Sequence, residues 1–175
     1  MARVVVVGVS GSGKTTLSRA LAARLGAPHV ELDALWHDEG WTSPTRPEFV
    51  ERVRAATAGD AWVVDGNYAE ARPVIWARAT HVVWLDYPRW LGLQRVLRRT
   101  AVRVVTRRPL WNGNRERLRT VLSAEHPIRW GWNKHPHYRA RYAEMYADPA
   151  YSHVVKVRLR GPAETRRWLD SDHDL

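Results

Sequence analysis

The stretch from Arg3 to Thr16 reads RVVVVGVSGSGKTT. Its four valines, Val4 to Val7, form a β-branched apolar run of the kind found in buried parallel strands. Gly8, four further residues, Gly13, Lys14 and Thr15 then satisfy G-x-x-x-x-G-K-[ST], the P-loop pattern, between a predicted strand and a predicted helix. The helix is expected over Lys14–Leu25, with Leu17, Leu21 and Leu25 on one face and Gly26 placed to stop it. Gly8, Gly11 and Gly13 let the chain turn tightly, so that backbone N–H groups converge on phosphate oxygens. The helix N-terminus adds partial positive charge. The predicted phosphate cradle is therefore Gly8, Ser10, Gly11, Ser12, Gly13, Lys14, Thr15 and Thr16. Within it the Lys14 ammonium should reach the β- and γ-phosphates, and the Thr15 hydroxyl should hold Mg²⁺. Only Lys14, Lys134 and Lys156 are lysines among 28 basic residues, so a lysine at this position is not an accident of composition.

Downstream, His29–Leu32 reads as a second strand delivering Asp33 to its carboxyl end, where the crevice of an open α/β sheet lies. Residues 34–47 look like a loop anchored by Trp36 and Trp41, followed by a helix over Pro47–Ala58 that ends at Gly59. A third strand, Ala61–Val64, runs into Asp65-Gly66-Asn67-Tyr68. A carboxylate there suits a Walker B role holding Mg²⁺. A fourth strand, His81–Leu85, leads to Asp86, a second carboxylate that fits either metal or an ordinary strand-ending turn. Pro88 opens a long helix, Arg89–Thr106, then a break over Pro109–Asn114 and a helix over Arg115–Ala124. Between Arg89 and Arg119 many arginines face one acid, Glu116, a density that favours an anion. Tyr138, Tyr142 and Tyr146 share a helical face, a packing pattern. His135 and His137 flank Pro136 without the acidic or thiol neighbours that a metal site needs. A fifth strand over His153–Val157 and a helix over Pro162–Leu169 close the chain. The β-α alternation predicts a parallel sheet with helices on both faces, an α/β/α sandwich.

With 175 residues, 45% of them apolar, the chain suits one domain with a real core. It has no cysteine, so disulfides and thiolate metal sites are excluded, and a reducing cytoplasm is the expected location. The short amino-terminal apolar run passes straight into the P-loop and does not read as a signal peptide. No stretch has the length of a membrane span. A formal charge of +10 points to an anionic partner, nucleotide, nucleic acid or phosphorylated metabolite, without choosing among them.

The stretches GVSGSGKTT, ELDALWH, Gly40-Trp41, WVVDGNY and WLDYPRW-x-x-x-x-RVLRR together resemble the adenylate-kinase-like P-loop kinases. The nearest likeness is to bacterial FlaR-type DNA topology modulation proteins. The resemblance covers about the first 100 residues. It implies a five-stranded P-loop sandwich of strand order 2-3-1-4-5, built from residues 1–33, 60–88 and 150–175. It also implies a substrate-binding segment over 34–59 and an arginine-rich lid region over 89–149. Arg95 and Arg99 match the family's lid-helix pair, the first packing on the ATP adenine and the second touching phosphates. Asp65 matches the aspartate of the family's D-G-[FY] motif, which supports Mg²⁺. The departing D-G-N-Y puts Asn67 among the candidate acceptor contacts.

Three functions compete. In the first, a kinase carries MgATP on Gly8–Thr16, with arginines of the 95–119 region over the γ-phosphate and Asp33 as base or orienter of an acceptor hydroxyl. A phosphate acceptor would instead call on Arg46 or Arg52. In the second, a nucleic-acid-binding NTPase or regulator of DNA topology uses the basic surface, for which the pI near 10.8 is the feature. In the third, a GTPase switch, an N-K-x-D motif is required, but Asn133-Lys134 is followed by His135-Pro136. The sequence leaves the acceptor and the oligomeric state open.

Overall fold

The computed structural model describes residues 1–106, 111–114 and 127–171. Five strands, β1 (Arg3–Gly8), β2 (His29–Glu31), β3 (Trp62–Asp65), β4 (His81–Leu85) and β5 (Val155–Leu159), form one sheet in the order β2-β3-β1-β4-β5. Every neighbouring pair is parallel. The valine run explains why β1 is central. Val4, Val5, Val6 and Val7 are all buried, because successive side chains enter opposite layers.

Val4 and Val6 pack with Leu17 and Leu21 of α1 (Lys14–Leu25) and with Trp168 and Leu169 of α7 (Pro162–Asp170). Val5 and Val7 face the other layer, built from α3 (Arg46–Ala56), α4 (Arg72–Trp76) and α6 (Pro127–Ala147). There Phe49, Val53, Ile75, Trp76, Tyr142 and Met145 meet Trp62 and Trp84 of the sheet. Trp62 and Trp76 are among the largest fully buried side chains, so part of the tryptophan-rich composition serves this layer.

α1 begins and ends where the sequence places it, with Gly26 closing it in a left-handed conformation (φ 59°). α3 starts on a capping box that the sequence reading did not use: Thr45 Oγ1 accepts from the Glu48 amide, and Glu48 accepts from the Thr45 amide. α5 (Arg89–Thr106) matches its expected span.

Several expectations need correction. Residues 34–47 are not simply a loop, and Leu32 leaves the strand expected over His29–Leu32. Leu32–Trp36 forms a short helix, α2, and Glu39–Trp41 a 3-10 turn. The helix α4 was not anticipated, and β5 lies two residues beyond the predicted strand. The helix expected over Arg115–Ala124 falls outside the described residues. Asp86 is not set toward a ligand: its carboxylate accepts from Arg158 Nη2 at 2.6 Å and pairs with Arg139 Nε at 3.1 Å. His135, too, is structural, its Nε2 lying 3.1 Å from the Tyr87 carbonyl oxygen.

Candidate active site

The register of the sheet assembles the site. Val6 pairs with Asp65 across β1 and β3, and Glu31 pairs with Asp65 across β2 and β3. The carboxyl ends of three strands therefore open on one crevice, with the P-loop at its centre. The cleft has a volume of about 1720 Å³.

In the loop, Gly8, Gly11 and Gly13 take φ of 153°, 80° and 96°, conformations that L side chains rarely adopt. Gly11 also lies against the backbone of Gly92 on α5, leaving no room for a Cβ. Gly11→Ala should therefore lower affinity for an ATP analogue by about tenfold or more, since strain of this kind costs about 1–3 kcal/mol before any clash is counted. Equilibrium binding checks it, and unchanged affinity would show that the loop does not need this packing.

Lys14 Nζ lies 3.2 Å from the Val9 carbonyl oxygen. Burial pulls the ammonium below its usual range; Asp33 and Asp65 oppose that pull, and Arg99 adds to it. One cation thus sits within the field of two carboxylates. Asp65 is buried. Its Oδ1 lies 3.7 Å from His29 Nε2, and its Oδ2 is buried with no hydrogen-bond partner. A buried orphan carboxylate oxygen beside a P-loop is a fit for a hard divalent cation, and Thr15 supplies a second oxygen donor on the same cleft wall. Ser12 Oγ is likewise buried without a partner.

Asp33 stands on α2 and accepts a 2.7 Å hydrogen bond from the Tyr68 hydroxyl. Burial, reinforced by the charge and hydrogen bond of Asp33, raises the Tyr68 hydroxyl far above its ordinary value, so it remains a donor. Tyr68 fixes the aspartate, and sequence reasoning missed that role although the tyrosine closes the quoted DGNY.

The cleft brings together Ser10, Gly11, Ser12, Gly13, Lys14, Thr15 and Thr16 with Asp33, Asp65, Arg95 and Arg99. Arg95 Nη1 donates to the Ser12 carbonyl oxygen at 3.2 Å and its guanidinium lies 5.5 Å from the Tyr87 ring centre. Three candidates sit elsewhere. Gly8 shapes the loop from below, between Ser12 and Leu85. Asn67 donates to the Gly8 carbonyl oxygen at 2.6 Å and accepts from the Tyr142 hydroxyl at 2.6 Å, so both ends of its amide are engaged with protein. Arg46 is 78% exposed and faces Glu70 at 3.4 Å.

A parallel sheet in this order, with a P-loop between its central strand and first helix, defines the P-loop kinase fold. A family profile described as an AAA domain matches residues 4–117. A shikimate kinase of Symbiobacterium thermophilum is 34% identical over 143 residues, which cover 71% of this chain and 79% of that one. The solved shikimate kinase of Acinetobacter baumannii in complex with shikimate superposes with a TM-score of 0.53 at 22% identity, over 97% of this chain and 89% of that one. A Bacteroides thetaiotaomicron shikimate kinase structure gives 0.54 at 13% identity, over 96% and 94%. The chain belongs to the P-loop kinase family of these AAA-domain proteins, with shikimate kinases among its relatives, and is an ATP-dependent kinase. Among the described residues, no helix is long and apolar enough to cross a membrane.

Proposed function

We propose that the protein transfers the γ-phosphoryl group of MgATP to a hydroxyl of a small-molecule acceptor. The observation that carries this reading is Asp33. It shares the cleft with the P-loop, acts electrostatically on Lys14, and is held by Tyr68 in one orientation. A carboxylate so placed takes the acceptor's proton as the acceptor oxygen bonds to the γ-phosphorus and the bond to the β-phosphate oxygen breaks, releasing ADP. Lys14 and Arg99 spread the charge on the transferring group, and Arg95 packs on the adenine. Thr15 and Asp65 would hold Mg²⁺, which supplies charge neutralisation on the β- and γ-oxygens.

A phosphate acceptor would need cations in place of a base. Arg46 and Arg52, the candidates for that task, instead meet Glu70 at 3.4 Å and Asp38 at 2.7 Å. That favours the hydroxyl. The adenylate-kinase-like grouping and an arginine-rich lid/helical region over residues 89–149, of which Tyr142 and Met145 belong to the core, are part of the same proposal, supported by the LDALW, DGNY and LDYPRW elements and by Arg95 and Arg99 on the cleft lining. Nucleic acid is the competing partner. DNA affinity falling steeply as salt rises would support it.

ADP release with nucleoside monophosphates, nucleosides and hydroxylated metabolites tests the reading. Saturable stimulation by a hydroxyl compound is expected. Stimulation by monophosphates alone would replace the base mechanism with a phosphate-acceptor one.

A further inference from the structure

Four rings line the cleft beside the segment that follows β2: Trp36, His37, Trp41 and Trp111. The last comes from a separate part of the chain. The turn Trp111-Asn112-Gly113-Asn114 is sewn onto residues 31–42 by side chains. Trp111 Nε1 donates to Glu31 Oε2 at 2.8 Å, and Asn112 Nδ2 donates to the His37 carbonyl oxygen at 2.6 Å. Asn114, buried, takes the Trp41 amide on Oδ1 at 2.9 Å and gives Nδ2 to the Asp38 carbonyl oxygen at 2.8 Å. The His37 and Trp111 rings stack at 5.7 Å with an interplanar angle of 23°, and Trp41 meets His37 edge-on at 5.3 Å.

Trp41 has φ 61°, a left-handed conformation that a bulky residue adopts only where its surroundings impose it. Asn114 is the group that holds the Trp41 amide there. The wall is thus specified by the chain, at a conformational cost, and is not incidental packing.

Its charge is equally specific. All three arginines of residues 34–59 are paired with carboxylates: Arg46 with Glu70, Arg52 with Asp38, Arg54 with Glu51. None of the three lines the cleft. Arg19 of α1 is bound at 2.5 Å to Glu31, the same carboxylate that accepts from Trp111 Nε1. Burial lowers His37 below its ordinary value, against a smaller upward pull from Asp33, which favours the uncharged ring. From residues 31–43 the cleft is lined by the rings, Ala34, the Ser43 hydroxyl and the Glu31 and Asp33 carboxylates, with no arginine or lysine; the arginines on its lining stand on α1, α5 and α7. Aromatic faces take rings by their apolar faces, and a carboxylate repels anions.

Building on the hydroxyl-kinase reading, we propose that the acceptor is a neutral hydroxyl-bearing ring, a cyclitol, sugar or nucleoside, seated face-on against this wall, and that Trp111 is its specificity-determining residue. The turn 111–114 delivers the indole; Glu31 and Asn114 fix its position.

The test has two parts on the full chain. ADP release is measured with neutral rings (myo-inositol and other cyclitols, hexoses, nucleosides) and with anionic acceptors (shikimate, nucleoside monophosphates). Saturable stimulation by a neutral ring is expected. Stimulation confined to anionic acceptors overturns this inference while leaving phosphoryl transfer standing; no stimulation in any arm overturns both. With the stimulating ring, Trp111→Ala should raise acceptor KM by about tenfold or more, with Kd for a non-hydrolysable ATP analogue changed less than about twofold. Trp111→Phe keeps an aromatic face without the indole N–H and should show a smaller rise. ATP-analogue affinity and Tm report folding in both variants. An unchanged acceptor KM in a folded Trp111→Ala protein, or equal losses for acceptor and nucleotide, overturns the role given to Trp111.

Discussion

Lys14→Ala is expected to abolish phosphoryl transfer in a protein that still folds, with a loss of about a thousandfold or more, equivalent to ~4 kcal/mol of transition-state stabilisation. The half-buried ammonium has the Val9 carbonyl oxygen as its hydrogen-bond partner and lies in the field of Asp33 and Asp65. A bound triphosphate gives it a far stronger partner, and the developing charge on the transferring group a stronger one still. The fold should survive. Asp33 keeps its bond from Tyr68, and Asp65 keeps His29 within 3.7 Å. The apolar layers around β1 do not include Lys14. Single-turnover kinetics with saturating acceptor, beside a thermal melt, separate chemistry from stability. Near-normal turnover in a folded Lys14→Ala protein would sink the catalytic reading of the P-loop.

How much of this was legible before the fold was seen follows the physics of each signal. β1 and α1 carry several agreeing cues: a β-branched run, a spaced glycine pattern, a helical leucine stripe and a glycine stop. Each acts over neighbouring residues, so α1 was read to the residue as Lys14–Leu25. β4, with its continuous HVVWL, was equally plain. The helices α2 and α4 have only five residues each, too few for a 3.6-residue period to show. β5 is an edge strand, and Val155, Val157 and Leu159 alternate with Lys156 and Arg158. Such alternation identifies a strand but not its ends, and the reading slid two residues toward the amino terminus.

At the site, the carboxylates Asp33 and Asp65 could be placed because a strand's carboxyl end is visible in sequence. Their partners could not. Tyr68 reaches Asp33 across 35 positions, and Tyr142 reaches Asn67 across 75. The amide of Asn67 looked like a substrate contact because the sequence shows the motif and hides the tyrosine that occupies it. Trp111 gave no sequence signal at all. Its role arises from the contact between residues 111–114 and the segment after β2.

The two strand-ending aspartates separate in opposite ways. Asp65→Asn should cut Mg²⁺-dependent turnover by about a hundredfold, shift the Mg²⁺ dependence to higher concentration and leave the melting temperature nearly unchanged. The orphan Oδ2 has no hydrogen-bond partner to lose, and the amide removes the negative charge that a divalent cation would use and that otherwise acts on Lys14. Asp86→Asn should do the reverse. Its carboxylate is 3% exposed and joins Arg158 on β5 and Arg139 on α6 to the end of β4. Removing one side of a buried ion pair costs about 3 kcal/mol or more. Here the arginines are 35% and 57% exposed, so solvent relieves part of that, and about 1–2 kcal/mol is the expected loss. For a chain of this size that is a fall in Tm of about 2–8 °C, with Mg²⁺ dependence unaltered. Thermal melts and Mg²⁺ titrations of the two variants, run side by side, read both effects. A Mg²⁺ shift in Asp86→Asn with none in Asp65→Asn would move the metal from β3 to β4, and with it the assignment of the strand that serves the P-loop.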